Sequence, residues 1–511
     1  MSGLGRNVSA NLVGRAWIAV AAIVATPFYL KYLGIAAYGL VGAFTALQVF
    51  AALFDLGLGL TLNRQLARLS SEPRSSARAM HDSLRTFETL YWFMGLAIAS
   101  AVVGSAGLLA SHWFKSVSLS QVQVANAVAL MGVTLAVQWP TALYLGGLLG
   151  LQRQVEANVL SSTFATLRAA GAVLLLAFVA PSIELFFAWQ VLISAAQTIA
   201  LRLVLRRALP SEGRPGRFQG ALLKANYAFA LDLTVITVLA ALLTQTDKII
   251  LSLIVPLDQF GYYALAGTVA GALYTFAGPV FNAAFPRLVN DVARNLPADL
   301  SATYHDSSQV LALLLAPPAA TLIVFAPEAM HAWIGDIGVT TATAGLVRIL
   351  ALGTALNGLL NVPYALMLAT GLTRLPMLLN AVALLVLAPL IVYLTGQFGT
   401  TGGALAWLAL NAGYMVVAVP LLHARVLRGA AWRWYSHDVG PPALGAITGV
   451  LMSRFLLADS ASRPGTILIL AIASCAAVVG ALVGSHLGRS FLAQLWRGPL
   501  HNGLNAIFTR R

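Results

Sequence analysis

Apolar residues along this chain gather in long runs separated by short polar stretches, without the strict alternation of a half-buried strand. Windows of about 19 residues, the length that crosses a hydrocarbon core at about 1.5 Å rise per residue, place spans near 10–33, 37–60, 85–110, 123–149, 157–180, 184–205, 228–254, 260–284, 308–327, 345–370, 376–396, 402–422, 440–458 and 465–486. The pattern predicts an all-α polytopic membrane protein with about fourteen transmembrane helices. The longest polar connections, near 61–84, 206–227 and 285–307, are too short to fold as a separate soluble domain.

Composition agrees with lipid as the solvent. Of 511 residues 59% are hydrophobic and 9% charged, against roughly 25% charged in a soluble globular domain. The net charge of +14 serves first to orient the chain, because Lys and Arg concentrate in cytoplasmic loops. With the N-terminus inside, Arg64, Arg68, Arg74, Arg78 and Arg85 share one cytoplasmic loop, and Arg206, Arg207, Arg214, Arg217 and Lys224 another. The outer side receives only Lys31, Lys115, Arg454 and Arg463. Both termini are therefore expected in the cytoplasm, and nucleic acid is not an expected partner. The span at 440–458 carries Arg454 and is kept because deleting it would move the basic tail outside. The basic N-terminus before the first apolar run predicts an anchor helix rather than a signal peptide. Cys475 is the only cysteine, which excludes an intrachain disulfide or a cysteine-based zinc site.

An internal repeat organises the spans. Gly39 and Gly261 stand 222 residues apart, as do Asn158 and Asn380; Gly150-Leu151-Gln152-Arg153 and Gly371-Leu372-Thr373-Arg374 stand 221 apart. Tyr144 matches Tyr364 at 220, and Ala188-Trp189 matches Ala406-Trp407 at 218. The shared offset is the evidence, and because it holds an even number of spans the halves run in the same direction, a parallel repeat. The expected domains are an N-terminal six-helix bundle (1–205), a basic cytoplasmic linker (206–227), a second six-helix bundle (228–423), and two further helices with a basic tail (424–511).

Charges within spans are the candidates for function, since each costs about 3 kcal/mol or more at the bilayer centre and usually faces a bundle interior or an aqueous cavity. Arg15 and Asp55 lie at similar depth near the inner ends of the first two spans and could pair, as a gate or as a structural link. Arg168 lies near the midplane of the fifth span, where snorkelling is hardest. Asp232 and Asp247 point within about 60° of each other on the seventh span, so both carboxylates can share one face. Asp247 and Lys248 diverge by about 100° and are not a mutual salt bridge. Asn357 and Asn361, one turn apart, could ligate a sugar hydroxyl or join helices. Gly267 and Gly271 form a small-xxx-small pair suited to close helix packing. No Walker loop, nucleophile elbow or ligand-spaced His/Cys set occurs, so neither a cofactor nor ATP hydrolysis is expected.

The segments Pro27-Phe28 through Leu33-Gly34, Tyr38-Gly39-Leu40, and Phe54-Asp55-Leu56-Gly57-Leu58-Gly59 with Arg64 resemble the opening of the bacterial polysaccharide flippases of the Wzx type. These belong to the multidrug, oligosaccharidyl-lipid and polysaccharide exporter superfamily. Gly150 to Arg153, Thr246-Asp247-Lys248-Ile249-Ile250-Leu251, Phe260-Gly261-Tyr262-Tyr263 and Gly399 to Ala404 carry the resemblance over nearly the whole chain. It implies a two-bundle inner-membrane transporter, not an enzyme. Such a protein flips an undecaprenyl-pyrophosphate-linked oligosaccharide by alternating access for O-antigen, capsule or exopolysaccharide assembly, with other polysaccharide assembly proteins as further partners. An anionic, hydrated headgroup needs fixed positive charge in a polar cleft, which nominates Arg15, Arg64, Arg168 and Lys248 for the phosphates. Asp55, Asp232 and Asp247 are then counter-charges or a coupling-ion site. A lipid II flippase and a multidrug cation antiporter are the alternatives within the superfamily. A polysaccharide polymerase or ligase is the enzyme alternative, and it would need a larger outer loop than 328–344, whose ionisable residues are Glu328, His331 and Asp336.

Overall fold

The computed structural model describes residues 3–53, 57–71, 77–210, 216–457 and 462–497, and every regular element among them is helical. The first half holds α1 (Gly3–Leu53), α2 (Leu58–Ser70), α3 (Ala77–Leu108), α4 (Gln121–Gln138), α5 (Pro140–Gly150), α6 (Gln154–Phe178), α7 (Ile183–Ala208) and α8 (Gly220–Ile254). There follow α9 (Leu257–Gly271), α10 (Tyr274–Ala293), α11 (Pro297–Val324), α12 (Ala326–Ile334), α13 (Ile337–Leu359), α14 (Asn361–Ala369), α15 (Arg374–Phe398) and α16 (Thr400–Arg425). A short α17 (Ala430–Arg433) and a π-helical stretch, Trp434–Val439, lead into α18 (Gly440–Leu456), α19 (Arg463–Gly484) and α20 (His486–Arg497). Eleven helical segments among the described residues are long and apolar enough to cross a membrane, or twelve if α9 and α10, bent by 40°, form one span.

That count differs from the expected fourteen for a traceable reason. The spans at 10–33 and 37–60 begin within one helical stretch, α1, which is interrupted at Gly34. There φ is 80° and ψ 171°, a conformation a glycine reaches without the Cβ clash that other residues meet. The helix α8 occupies the place of the span at 228–254. Large apolar side chains stand exposed along the helices, among them Phe93, Phe178, Leu385 and Phe455, which in water would be aggregation surface and in lipid is the ordinary outer face.

The chain forms two compact units, residues 1–261 and 262–511. By contacts α8 packs with the first unit, against α1, α2 and α3. The order of helix contacts recurs between the units: α2 packs on α3 and α5 as α10 packs on α11 and α14, and α4 packs on α3 and α7 as α13 packs on α11 and α16. The breaks recur too. Pro140 starts α5 directly after Trp139, and Asn361 starts α14 directly after Leu360; α5 is followed by Gln152 at φ 61° and α14 by Gly371 at φ 74°.

In the second unit α18 and α19 pack against each other and against α11 over Ala320, Ala446, Val450, Ala473, Ala477 and Ala481. Their backbones touch: a Cβ added at Gly445 would lie 2.0 Å from the Gly480 carbonyl oxygen, and one at Gly480 would lie 2.1 Å from that of Gly445. The close packing expected at Gly267 and Gly271 is not present, since a Cβ at either meets nothing within 4 Å. The small-residue interface lies at Gly445, Gly449, Gly480 and Gly484 instead, where two helices each supply a four-residue small pair. Arg454 near the end of α18 pairs with Glu328 of α12 and lies 5.2 Å from the Phe325 ring centre, so this intramembrane charge is compensated.

Candidate functional site

Arg168 is the clearest chemical centre of the first unit. It projects from α6, which packs between α1 and α7. Its Nη2 donates to Gln197 Oε1 at 2.9 Å and to Ser194 Oγ at 3.3 Å, while its Nε is buried without a partner. Ser194 and Gln197 are themselves buried on one face of α7, three residues apart. Beside them Tyr29 of α1 donates to the Ala169 carbonyl at 3.4 Å. Among the described residues no carboxylate meets this guanidinium. The described partners are neutral acceptors that hold its orientation, an arrangement that favours an anion and, with the planar fork of guanidinium donors, a phosphate.

A second charged centre closes one end of α3 and α7. The Glu88 carboxylate, 1% exposed, accepts from Arg202 Nε, from Arg206 Nη2 at 3.0 Å and from the Tyr144 hydroxyl at 2.6 Å. Six residues earlier Asp82 accepts from the backbone N–H of Arg217 and from Gln219 Nε2, both at 2.6 Å, which fastens the segment before α8 onto α3. The expected linker at 206–227 is thus docked against this unit over its last described turns before α8.

In the second unit the polar groups at the break between α13 and α14 are neutral. A cavity of about 180 Å³ lies where α13 breaks into α14, and Asn357, Asn361, Tyr364, Asn380 and Tyr414 line it above apolar Pro363, Leu379 and Val419. Tyr414 donates to Asn380 Oδ1 at 2.8 Å. Asn361 Nδ2 donates to the Gly358 carbonyl at 2.9 Å, and Asn357 Nδ2 to Asn411 Oδ1 at 2.7 Å. The first unit has a cavity at its corresponding break, of about 320 Å³, lined by Gln48, Gln138, Trp139 and Thr141, with Gln48 donating to Gln138 at 2.9 Å.

The residues singled out from the sequence fare differently. Asp55 and the side chains of Arg15 and Asp232 lie outside the described residues. Arg64 is exposed on α2, whose main packing is on α5 and α3, whereas Arg168 stands on α6. Asp247 is buried on α8, and its neighbour Lys248 donates to Gln245 Oε1 at 3.0 Å, one turn away. Asn357 joins α13 to α16 through Asn411 and accepts from Tyr274, while Asn361 binds its own helix and faces the cavity. The two asparagines therefore combine the roles of helix glue and cavity lining.

Glu88 and Arg202 were missed although both fall within predicted spans, at 85–110 and 184–205, where an ionisable residue is itself a signal. His305, which pairs with Asp438 in a buried contact between α11 and the π-helical stretch, falls outside the apolar windows on both sides. Only the tertiary packing brings that pair together. Among the described residues no group of three or more His, Cys, Asp or Glu side chains could hold a metal ion.

Comparison with known proteins places this architecture. A Shigella flexneri protein described as an O-antigen transporter is 20% identical over 417 residues, covering 78% of this chain and 92% of its own. The solved structure of the lipid II flippase MurJ in an inward closed conformation superposes with a TM-score of 0.67 at 12% identity, covering 95% of this chain and 99% of that one. An inward-facing MATE family multidrug resistance transporter of the MOP superfamily superposes with a TM-score of 0.65 at 12% identity, covering 80% and 94%. At these identities the structural likeness establishes the fold. The family model for polysaccharide biosynthesis proteins matches residues 4–290, more than half of the sequence, and the chain belongs to that family.

Proposed function

We propose that this protein flips an undecaprenyl-pyrophosphate-linked oligosaccharide from the inner to the outer leaflet of the bacterial inner membrane, for O-antigen, capsule or exopolysaccharide assembly. The observation that carries the reading is Arg168: a guanidinium inside a membrane span, oriented by neutral partners and lacking a carboxylate among the described residues. A positive charge held by neutral partners disfavours a cationic substrate and suits a pyrophosphate headgroup. Arg15, Arg64 and Lys248 are further candidates for the phosphates, and Asp55, Asp232 and Asp247 for counter-charge or ion coupling. The polyprenyl tail stays in lipid while the two bundles alternate access to the headgroup, with both termini in the cytoplasm and no covalent chemistry.

Reconstituted protein should translocate lipid-linked oligosaccharide into proteoliposomes, and Arg168→Ala should lower the rate about 10- to 100-fold, the range for losing charge-assisted hydrogen bonds to an ion. Arg168→Lys should retain part of the activity. Normal transport by a membrane-inserted Arg168→Ala protein would refute the role of this residue. Transport of lipid II in preference to oligosaccharide lipids would shift the substrate to peptidoglycan precursor.

A further inference from the structure

We infer that the cavity at the α13–α14 break is a subsite for an uncharged pyranose ring of the transported glycan. This rests on the flippase reading and deepens it by separating sugar recognition from phosphate recognition. The lining holds no Asp, Glu, Lys or Arg, so a charged sugar would enter a low-dielectric site without compensation. What it does hold suits vicinal hydroxyls. Amides and phenols both donate and accept, and among the described residues Asn361 Oδ1, Asn380 Nδ2 and the Tyr364 hydroxyl have no protein partner.

The remaining atoms of these groups are engaged, which fixes their direction: Asn361 Nδ2 on the Gly358 carbonyl and Asn380 Oδ1 under the Tyr414 hydroxyl. Such preorganisation lowers the ordering cost of binding. Pro363, Leu379 and Val419 add apolar lining suited to the C–H face of a ring. An acyl chain in the same space would leave three polar atoms without partners, a cost that a hydroxylated ligand removes.

The experiment measures binding of three lipids to the full chain in nanodiscs: undecaprenyl pyrophosphate, the same lipid bearing one N-acetylglucosamine, and the same lipid bearing one glucuronic acid. The wild type should bind the acetamido-sugar lipid about tenfold more tightly than the sugar-free lipid, the gain expected of one or two neutral hydrogen bonds, and should gain nothing from the uronate. Asn361→Ala and Asn380→Ala should bring that ratio close to one. Tyr414→Phe, which removes a single oxygen and keeps the ring, is the conservative variant and should lower it as well. Equal binding of neutral-sugar and sugar-free lipids by the wild type overturns the subsite and leaves the flippase reading intact, as does a preference that survives these substitutions. A uronate bound as well as the neutral sugar overturns the specification of an uncharged ring. A wild type that binds none of the three overturns both readings.

Discussion

Removing the Glu88 carboxylate should destabilise the first unit, and by an amount set by Tyr144 more than by the arginines. Glu88 accepts from three side chains, but their surroundings differ. Arg202 and Arg206 are 36% and 45% exposed, so water can reclaim both, and each pair is worth no more than about 1 kcal/mol by the standard of accessible ion pairs. The Tyr144 side chain is fully buried and its hydroxyl meets the carboxylate at 2.6 Å. Leaving it unpaired costs about 1.5–3 kcal/mol. Glu88→Ala should therefore cost about 3–4 kcal/mol, and Glu88→Gln, whose amide oxygen still accepts from Tyr144, about 1–2 kcal/mol. Unfolding of the purified protein in mixed SDS micelles would give these free energies. The decisive test is the double mutant: in a Tyr144→Phe background no hydroxyl is left to orphan, so Glu88→Ala should cost at least about 1.5 kcal/mol less than it does alone. Additive effects of the two substitutions, or a Glu88→Gln protein as unstable as Glu88→Ala, would refute this partition.

The helix pair α18–α19 gives two opposed predictions for the same substitution type. At Gly480 a Cβ would lie 2.1 Å from a backbone oxygen, so Gly480→Ala should push the helices apart and lower stability by about 1–3 kcal/mol, whereas Gly267→Ala enters open space and should stabilise by up to about 1 kcal/mol through helix propensity; the same SDS titration reads both. Breaking the buried His305–Asp438 pair from one side, as His305→Leu or Asp438→Leu, should cost about 3–5 kcal/mol, and the double substitution should recover part of that loss. Costs that simply add would mean that the two groups are not coupled.

Hydropathy was sufficient to find the helices because lipid leaves little choice: an apolar run must satisfy its backbone internally, and a helix does so. The repeat was legible as a shared offset, and two of its matched segments, Gly150 to Arg153 and Gly371 to Arg374, fall where α5 and α14 end. Arg168 announced itself by its depth in an apolar window. Side-chain partners were not legible, because they depend on which faces meet. Asn357 gave no sign that it would bridge to Asn411 on α16, nor Tyr144 that it would serve Glu88, and the small-xxx-small spacing of Gly267 and Gly271 is shared by Gly445 with Gly449 and by Gly480 with Gly484, which do pack closely. Spacing along one helix says which residues share a face and not what that face touches.

The two units show how one helix arrangement can be given two chemistries. In the first, the end of α3 meets α7 through Glu88 and Arg202, and Tyr144 on α5 donates into that ion cluster. In the second, the corresponding helices α11 and α16 meet through Tyr304 and His423, whose rings lie 5.4 Å apart, with the buried His305–Asp438 pair beside Tyr304. Among the described residues Tyr364, the repeat partner of Tyr144, meets no carboxylate. It stacks on Phe281 at 6.3 Å between ring centres and lines the asparagine cavity. One unit thus sets Tyr364 in a neutral cavity, while the other sets the Arg168 guanidinium among neutral partners. On the proposed flippase reading, a pyrophosphate calls on the first of these chemistries and an uncharged sugar on the second.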